Sequence, residues 1–270
     1  MELTVIGGDL RSVYLAALMQ DEGHTVRCWG LEQALPCTST LQEALQGTHA
    51  VILPTPAATG NLLRTPYGNT ALTTETLLPL FPQVTVFAGA PNTTLTEGCA
   101  ARGIPLVDLL QQEDLTVKNA AITAECALGL LITELPYALQ GEPILVLGAG
   151  RIGSRLVHLL QQVGAEVTVA VRNPHRCTAA AAHVIPLHLL QTALPKFRVA
   201  VNTIPARIMT EGLPRGGVLM ELASAPGGFD PQWAEEKGYR VISAGGLPGR
   251  MAPESAAKAM WEAIKSMIER

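Results

Sequence analysis

The sequence predicts an α/β protein of two parallel-sheet domains joined by a long helix, with the C-terminal helix crossing back to the first domain. Three observations carry that expectation. Short apolar runs alternate with amphipathic stretches in both halves of the 270 residues. Two strand-to-helix turns are glycine-rich, VIGGDLR at 5–11 and VLGAGRIG at 146–153. A hydrophobic content of 48% against 16% charge supplies apolar side chains for two cores. Both domains are therefore expected to be Rossmann-like, with helices on both faces of each sheet.

The elements follow in order. Strands are expected at 3–7, 25–29, 50–53, 84–88 and 104–107 in the first half. In LRSVYLAALMQDEG, Val13, Ala16, Ala17 and Met19 have helical spacing and Gly23 is the stop. A connecting helix is expected over 119–139, with Asn119 at its start and Ile122, Cys126 and Leu130 along one face. The second half offers strands at 143–147, 166–171, 197–202, 217–221 and 239–243. Pro143 can begin a strand but not occupy its middle. GLPRGG and APGG are turn chemistry. In the last segment Pro253 suits a first helical turn, and Ala256, Met260, Ile264 and Met267 form a stripe that needs cover. The expected division is 1–118 plus 250–270 for the first domain, 119–140 for the connecting helix and 141–249 for the second domain.

Several classes are disfavoured. A net charge of −4 gives no reason to expect nucleic acid or an acidic membrane surface as a partner. No basic segment followed by an apolar run opens the chain, so no signal peptide is expected. The apolar stretch CALGLLI at 126–132 is too short to span a bilayer, and a cytoplasmic protein is expected. Five scattered cysteines without CxxC suit reduced thiols. Six histidines show no metal-ligand spacing, no metal site is expected, and no GxSxG elbow occurs.

The second glycine turn has the dinucleotide pattern. Gly148, Gly150 and Gly153 follow the strand PILVL and open a helix, with Ala149, Arg151 and Ile152 between them. The first glycine permits the turn, the second admits a pyrophosphate, and the third lets helix and strand pack closely. The next strand, EVTVAV, runs into Arg172, Asn173 and, three residues on, Arg176. An NAD site usually carries a carboxylate roughly 20 residues past the first glycine. Guanidinium groups there suit a 2′-phosphate instead, so NADP(H) is the expected cofactor. VIGGDLR lacks a third glycine and puts Asp9 where a pyrophosphate would meet like charge. The first half is expected to serve the substrate. Strand ends in the second half should border the nicotinamide, which nominates Asn202, Thr203, Ile204 and Pro205 of VNTIP and Leu222, Ala223 and Ser224 of ELAS.

VIGGDLR, ILPTPAATG, VFAGAPN, NAAITAE, VLGAGRIG, VNTIPARIM, LMELASAPGGFD and GLPGRMAP occur in this order along nearly the whole chain. Together they resemble the A-subunit family of dipicolinate synthase from spore-forming bacteria. The resemblance implies NADP-dependent oxidation of a dihydro- or hydroxytetrahydro-dipicolinate intermediate to dipicolinate in the sporulating mother cell. It also implies a partner, the flavoprotein-like B-subunit of dipicolinate synthase, in a heteromeric complex. A homodimer is compatible with it. Thr59, Gly60, Gly89 and Asn92 match the family's first-domain loops, and Asn119, Thr123 and Glu125 its connecting helix. The family often has Pro and Gly where this chain has Ile122 and Cys126, and Thr-Ala-Gly in place of Ser255-Ala256-Ala257.

A small dicarboxylate substrate needs cationic or N–H-rich contacts at both ends. Thr59, Asn92 and Asn119 are the expected contacts on one side, and Gly246, Leu247 and Pro248 of GGLPG on the other. Glu125 is the expected base for the ring proton, in the first turn of the connecting helix, and Thr123 a positioning hydroxyl. Two other readings stand beside this one. The chain would be another small-acid dehydrogenase, shikimate- or alanine-dehydrogenase-like, although no Lys-Asp catalytic pair is evident. Or it would be a non-catalytic nucleotide-binding or regulatory component of the complex.

Overall fold

The computed structural model describes residues 1–177, 183–209 and 212–269. They form two compact units, Met1–Asn119 with Pro248–Arg270, and Ala120–Leu247.

The first unit runs β1 (Glu2–Ile6), α1 (Leu10–Asp21), β2 (Thr25–Trp29), α2 (Leu41–Leu45) and β3 (Ala50–Ile52). A small hairpin follows, β4 (Ala58–Thr59) and β5 (Leu62–Leu63), then α3 (Thr74–Leu77), β6 (Thr85–Ala88), α4 (Thr93–Ala101) and β7 (Leu106–Asp108). The main sheet is parallel in the order β2-β1-β3-β6-β7. Each expected strand is present, although β7 starts two residues later than expected, after Pro105. The hairpin has no counterpart in the sequence reading, because two-residue strands carry no periodicity.

The chain's last helices complete this unit. After α9 (Leu247–Met251), α10 (Pro253–Ile268) packs on α1. Ala256, Met260 and Ile264 are buried there, and Met267 is half-buried at the end of the stripe. Trp261 is 1% exposed, with its ring edge-on to His24 at 5.2 Å between centroids. Lys265 and Glu22 close the contact with an ion pair of 2.8 Å.

In between, α5 (Glu113–Glu134) begins six residues before the expected start. Asn119 is therefore not its cap. Glu113 and Asp114 occupy the first turn, where the helix dipole favours carboxylates, and Pro136 lies just past the end. The buried face also differs from the expected one. Ala120, Ala124, Ala127 and Leu131 are buried at helical spacing, as is Cys126, whereas Ile122 and Leu130 are only half-buried. By length and composition α5 is sufficient to cross a membrane, unlike the shorter stretch CALGLLI taken by itself. Its alanine-rich stripe is instead covered by protein.

The second unit continues with β8 (Pro143–Leu147), α6 (Arg151–Gln162), β9 (Glu166–Val171), β10 (His183–Pro186), α7 (Leu190–Ala193), β11 (Val199–Asn202), β12 (Val218–Glu221), α8 (Pro231–Glu236) and β13 (Arg240–Ser243). Pro143 is the first residue of its strand, as its missing N–H requires. Among the described residues the sheet is parallel and six-stranded, ordered β10-β9-β8-β11-β12-β13. β10 is an edge strand absent from the sequence expectation, four residues long and ending in proline.

The α1–α10 contact gives a stability prediction. Trp261→Ala removes a large, fully enclosed side chain, and its expected cost is about 3–5 kcal/mol. Urea unfolding measures it.

Candidate functional site

The second unit's strand order reverses between β8 and β11, the point at which open α/β sheets take dinucleotides. The glycine turn lies at the carboxyl end of β8. Gly148 has φ +96°, and a Cβ on it would stand 2.6 Å from the Thr203 hydroxyl. A Cβ on Gly153 would stand 2.3 Å from the Gly148 carbonyl oxygen. These two glycines let α6 come down on the end of β8. Gly150 is different. It begins α6 with no side chain to cap it, and a Cβ there meets nothing within 4 Å. An uncapped helix start beside open space is a cradle for an anion. Ser154 fixes the turn by donating to the Ala149 carbonyl at 2.9 Å. The residues present thus fit a dinucleotide pyrophosphate.

Past β9, Arg172 and Asn173 are exposed. Asn173 accepts from the His175 N–H at 3.1 Å and so starts a short 3₁₀ turn, Pro174–Arg176. The Arg176 side chain lies outside the described residues.

The strand ends opposite are more occupied than the sequence suggests. Asn202 is 1% exposed. Its amide donates to the Ile204 carbonyl at 2.9 Å and to Glu221 at 2.7 Å, and its oxygen accepts from Ile204 at 3.1 Å. Glu221, absent from the sequence-based candidates, also accepts from the N–H groups of Ala223 and Gly228 at 2.9 and 2.7 Å. The pair ties together the loops after β11 and β12. Thr203 donates to the Leu147 carbonyl at 2.7 Å, which leaves its oxygen able to accept. Ile204 and Ala223 are half-buried, Pro205 and Ser224 exposed, and Leu222 buried. A carboxylate at a strand end shortly before Pro-Gly-Gly is the sequence signal for Glu221.

In the first unit the VIGGDLR turn is filled by its own chain. The Gly8 N–H donates to the Arg64 carbonyl at 2.8 Å, and a Cβ on Gly7 would stand 2.8 Å from that oxygen. Asp9 caps α1 and holds Arg11 through two side-chain bonds of 2.9 and 2.7 Å. Burial pushes the Asp9 carboxyl up. The bonds from Arg11 and the charges of Arg11 and Arg64 outweigh that effect and hold it below the usual range. Arg11 is itself buried and also donates to the Thr55 carbonyl. Gly249 packs on this pair: a Cβ there would reach Asp9 Oδ2 at 2.6 Å.

The remaining expected substrate residues are scattered among roles. Asn92 caps α4 by accepting from the Leu95 N–H at 2.9 Å, and its amide donates to the Gly60 carbonyl at 2.8 Å. It pins the hairpin that carries the exposed Thr59. Asn119 is half-buried within α5. Gly246 is exposed at φ +66°, whereas Leu247 and Pro248 are buried. Thr123 is buried, and Glu125 is exposed in the middle of α5 rather than in its first turn.

Comparisons with known proteins agree with this architecture. Residues 2–110 match the N-terminal domain of the dipicolinate synthase A-subunit, and residues 131–222 match the D-isomer specific 2-hydroxyacid dehydrogenase NAD binding domain. The dipicolinate synthase A-subunit of Bacillus subtilis (strain 168) is 26% identical over 99% of this chain and 96% of its own. The crystal structure of its counterpart from Bacillus halodurans superposes with a TM-score of 0.87 at 24% identity, covering 100% of this chain and 98% of that one. A transhydrogenase from Sinorhizobium meliloti has the same fold, with a TM-score of 0.69 at 15% identity over 98% of this chain and 93% of its own. The resemblance drawn from the motifs holds along the whole chain, and the match over residues 131–222 supports a nicotinamide dinucleotide cofactor for the second unit.

Two of the glycines predict separable defects. Gly150→Ala is expected to leave the melting temperature unchanged and to weaken dinucleotide binding by about tenfold or more, or about 1.4 kcal/mol. Gly153→Ala is expected to lower the melting temperature as well, because its methyl group meets backbone. Calorimetric melting and fluorescence titration with NADPH separate the two.

Proposed function

We propose, for a chain similar to the dipicolinate synthase A-subunit over its whole length, an NADP-dependent oxidoreductase that forms dipicolinate. Its substrate is a dihydro- or hydroxytetrahydro-dipicolinate intermediate. It works with the flavoprotein-like B-subunit in the mother cell of a sporulating bacterium. The observation that carries the redox part is the Gly148–Gly153 cradle at the switch point of the second unit's sheet. The 2′-phosphate preference rests on the loop after β9, where Arg172 is exposed and no carboxylate occurs from Val171 to Arg176.

Bound there, NADP+ supplies the hydride acceptor. The chain's own residues supply position and proton handling. Gly150 admits the pyrophosphate, α6 directs its first N–H groups toward it, and the Thr203 oxygen is open to a donor from the ribose or carboxamide. The dihydro ring loses a hydride and a proton as it becomes aromatic; a hydroxytetrahydro ring loses water as well. Aromatisation drives the step, so a modest base is sufficient. Glu125 is that base in this reading. Its mid-helix place removes the helix-dipole explanation that a first-turn carboxylate would have.

A second reading, a nucleotide-binding regulatory component of the complex, draws support from Asn92 and Asn202, whose amides are committed to the fold. Turnover separates the two. The full chain, with and without its partner, is given the product of dihydrodipicolinate synthase plus NADP+, and NADPH and dipicolinate absorption are followed together. Cofactor binding without NADPH formation in either mixture would defeat the catalytic reading.

Two variants refine the test. Arg172→Ala with Arg176→Ala is expected to weaken NADPH binding by about tenfold or more while NADH binding changes little, since each lost charged hydrogen bond costs about 1.5–3 kcal/mol. An unchanged ratio of the two affinities by titration would remove the NADP assignment. Glu125→Gln is expected to lower kcat by about 10²-fold or more with little change in NADPH affinity. Full turnover in the complete complex would exclude Glu125 as the base.

A further inference from the structure

Two cationic side chains lie near the end of β1 in the first unit, and they differ in what holds them. Arg11 is buried, paired with Asp9 at 2.7 Å and bonded to the Thr55 carbonyl. Its charge and that of Asp9 cancel. Arg64 is half-buried, and its guanidinium has no hydrogen bond and no ion pair among the described residues. It is near enough to Asp9 for its charge to favour the ionised carboxyl, which leaves a local surplus of one positive charge.

Its backbone is fixed all the same. The Arg64 N–H donates to the Ala57 carbonyl at 3.1 Å, and its carbonyl accepts from Gly8 at 2.8 Å. The residue therefore bridges the loops that leave β1 and β3. Those strands are neighbours in the sheet, and β2 and β6 lie on their far sides. This is the first unit's own switch point, where a sheet of this kind takes a ligand.

A second unmet donor lies in the loop that leaves β3. The Thr55 hydroxyl, three residues past the end of β3, is buried without a hydrogen-bond partner. It packs against Gly89, where a Cβ would stand 2.3 Å from it. A buried hydroxyl without an acceptor is costly, and a guanidinium to which the fold supplies no partner is available to an anion. A planar fork of N–H groups matches a carboxylate.

We infer that Arg64 receives one carboxylate of the ring dicarboxylate, with the Thr55 hydroxyl in the loop that leaves β3 as a second donor. This rests on the substrate class proposed above and assigns its anchor. The neighbouring candidates Thr59 and Asn92 shape the hairpin loop that precedes Arg64 in the chain.

Calorimetric titration of the full chain with pyridine-2,6-dicarboxylate tests it. Arg64→Ala is expected to raise Kd by about tenfold or more. Arg64→Lys, which keeps the charge but not the fork, should fall between that variant and wild type, and Thr55→Val should weaken binding a few-fold. NADPH affinity should stay at the wild-type value in all three and the melting temperature should not fall, because none of them removes a side-chain hydrogen bond seen among the described residues. Wild-type dicarboxylate affinity in Arg64→Ala would overturn the inference and leave the redox reading intact. Loss of dicarboxylate binding in Arg64→Ala, together with a wild-type chain that never reduces NADP+ with or without its partner, would uphold the anchor and sink the redox reading. A wild-type chain that binds NADPH but not the dicarboxylate would overturn both the substrate class and the anchor.

Discussion

Backbone has to meet backbone where β8 turns into α6, and much else in the second unit follows from that contact. The Gly153 position faces the Gly148 carbonyl at a distance no side chain tolerates, and Thr203 closes the other side. With the helix seated this deeply, its first turn points past the end of the strand. Gly150 then lies at the rim with open space beside it. The contact therefore does two things: it packs a helix on a sheet, and it exposes the helix start to an anion. A bulkier residue at Gly148 or Gly153 would lift the helix and lose both.

The first unit shows the same strand–turn–helix scheme put to another use. Its Gly7-Gly8 turn has positive φ at both residues, but the Arg64 carbonyl already occupies the position facing it. Asp9 then caps α1 with a carboxylate that Arg11 neutralises. A helix start that supplies its own anion has no need of a pyrophosphate. The fold is shared between the units; the chemistry at the helix start is not, because it depends on whether the residue before the helix brings a side chain.

This difference explains what is legible in the sequence. Strands and the glycine cradle can be read because each rests on local pattern: apolar runs, proline at a strand start, glycines at fixed offsets. The stripe of α10 is legible for the same reason, and α1 supplies the cover it needs. The start of α5 escapes a pattern reading because Glu113 and Asp114 look like loop residues until the dipole is considered. Hairpin β4–β5 and edge strand β10 are too short to show a period. The buried face of α5 is hard to see because alanine carries little hydrophobic signal, although Ala120, Ala124 and Ala127 hold the inner positions.

Polar residues at strand ends are the hardest to read, and the reason is physical. Asn202 ends the parallel strand β11 and is expected from the sequence to face a ligand, whereas Arg64 follows the antiparallel hairpin strand β5 and reaches the end of β1 only through the fold. Their hydrogen-bond accounts differ. Asn202 has both donor and acceptor atoms satisfied by Ile204 and Glu221, so a ligand would have to break existing bonds to engage it. The Arg64 guanidinium has no such bonds to break among the described residues, so an acceptor that reaches it displaces water rather than a partner supplied by the fold. Residue type and spacing cannot distinguish these cases. Which partners the fold has already supplied decides which polar group is structural and which is left for chemistry.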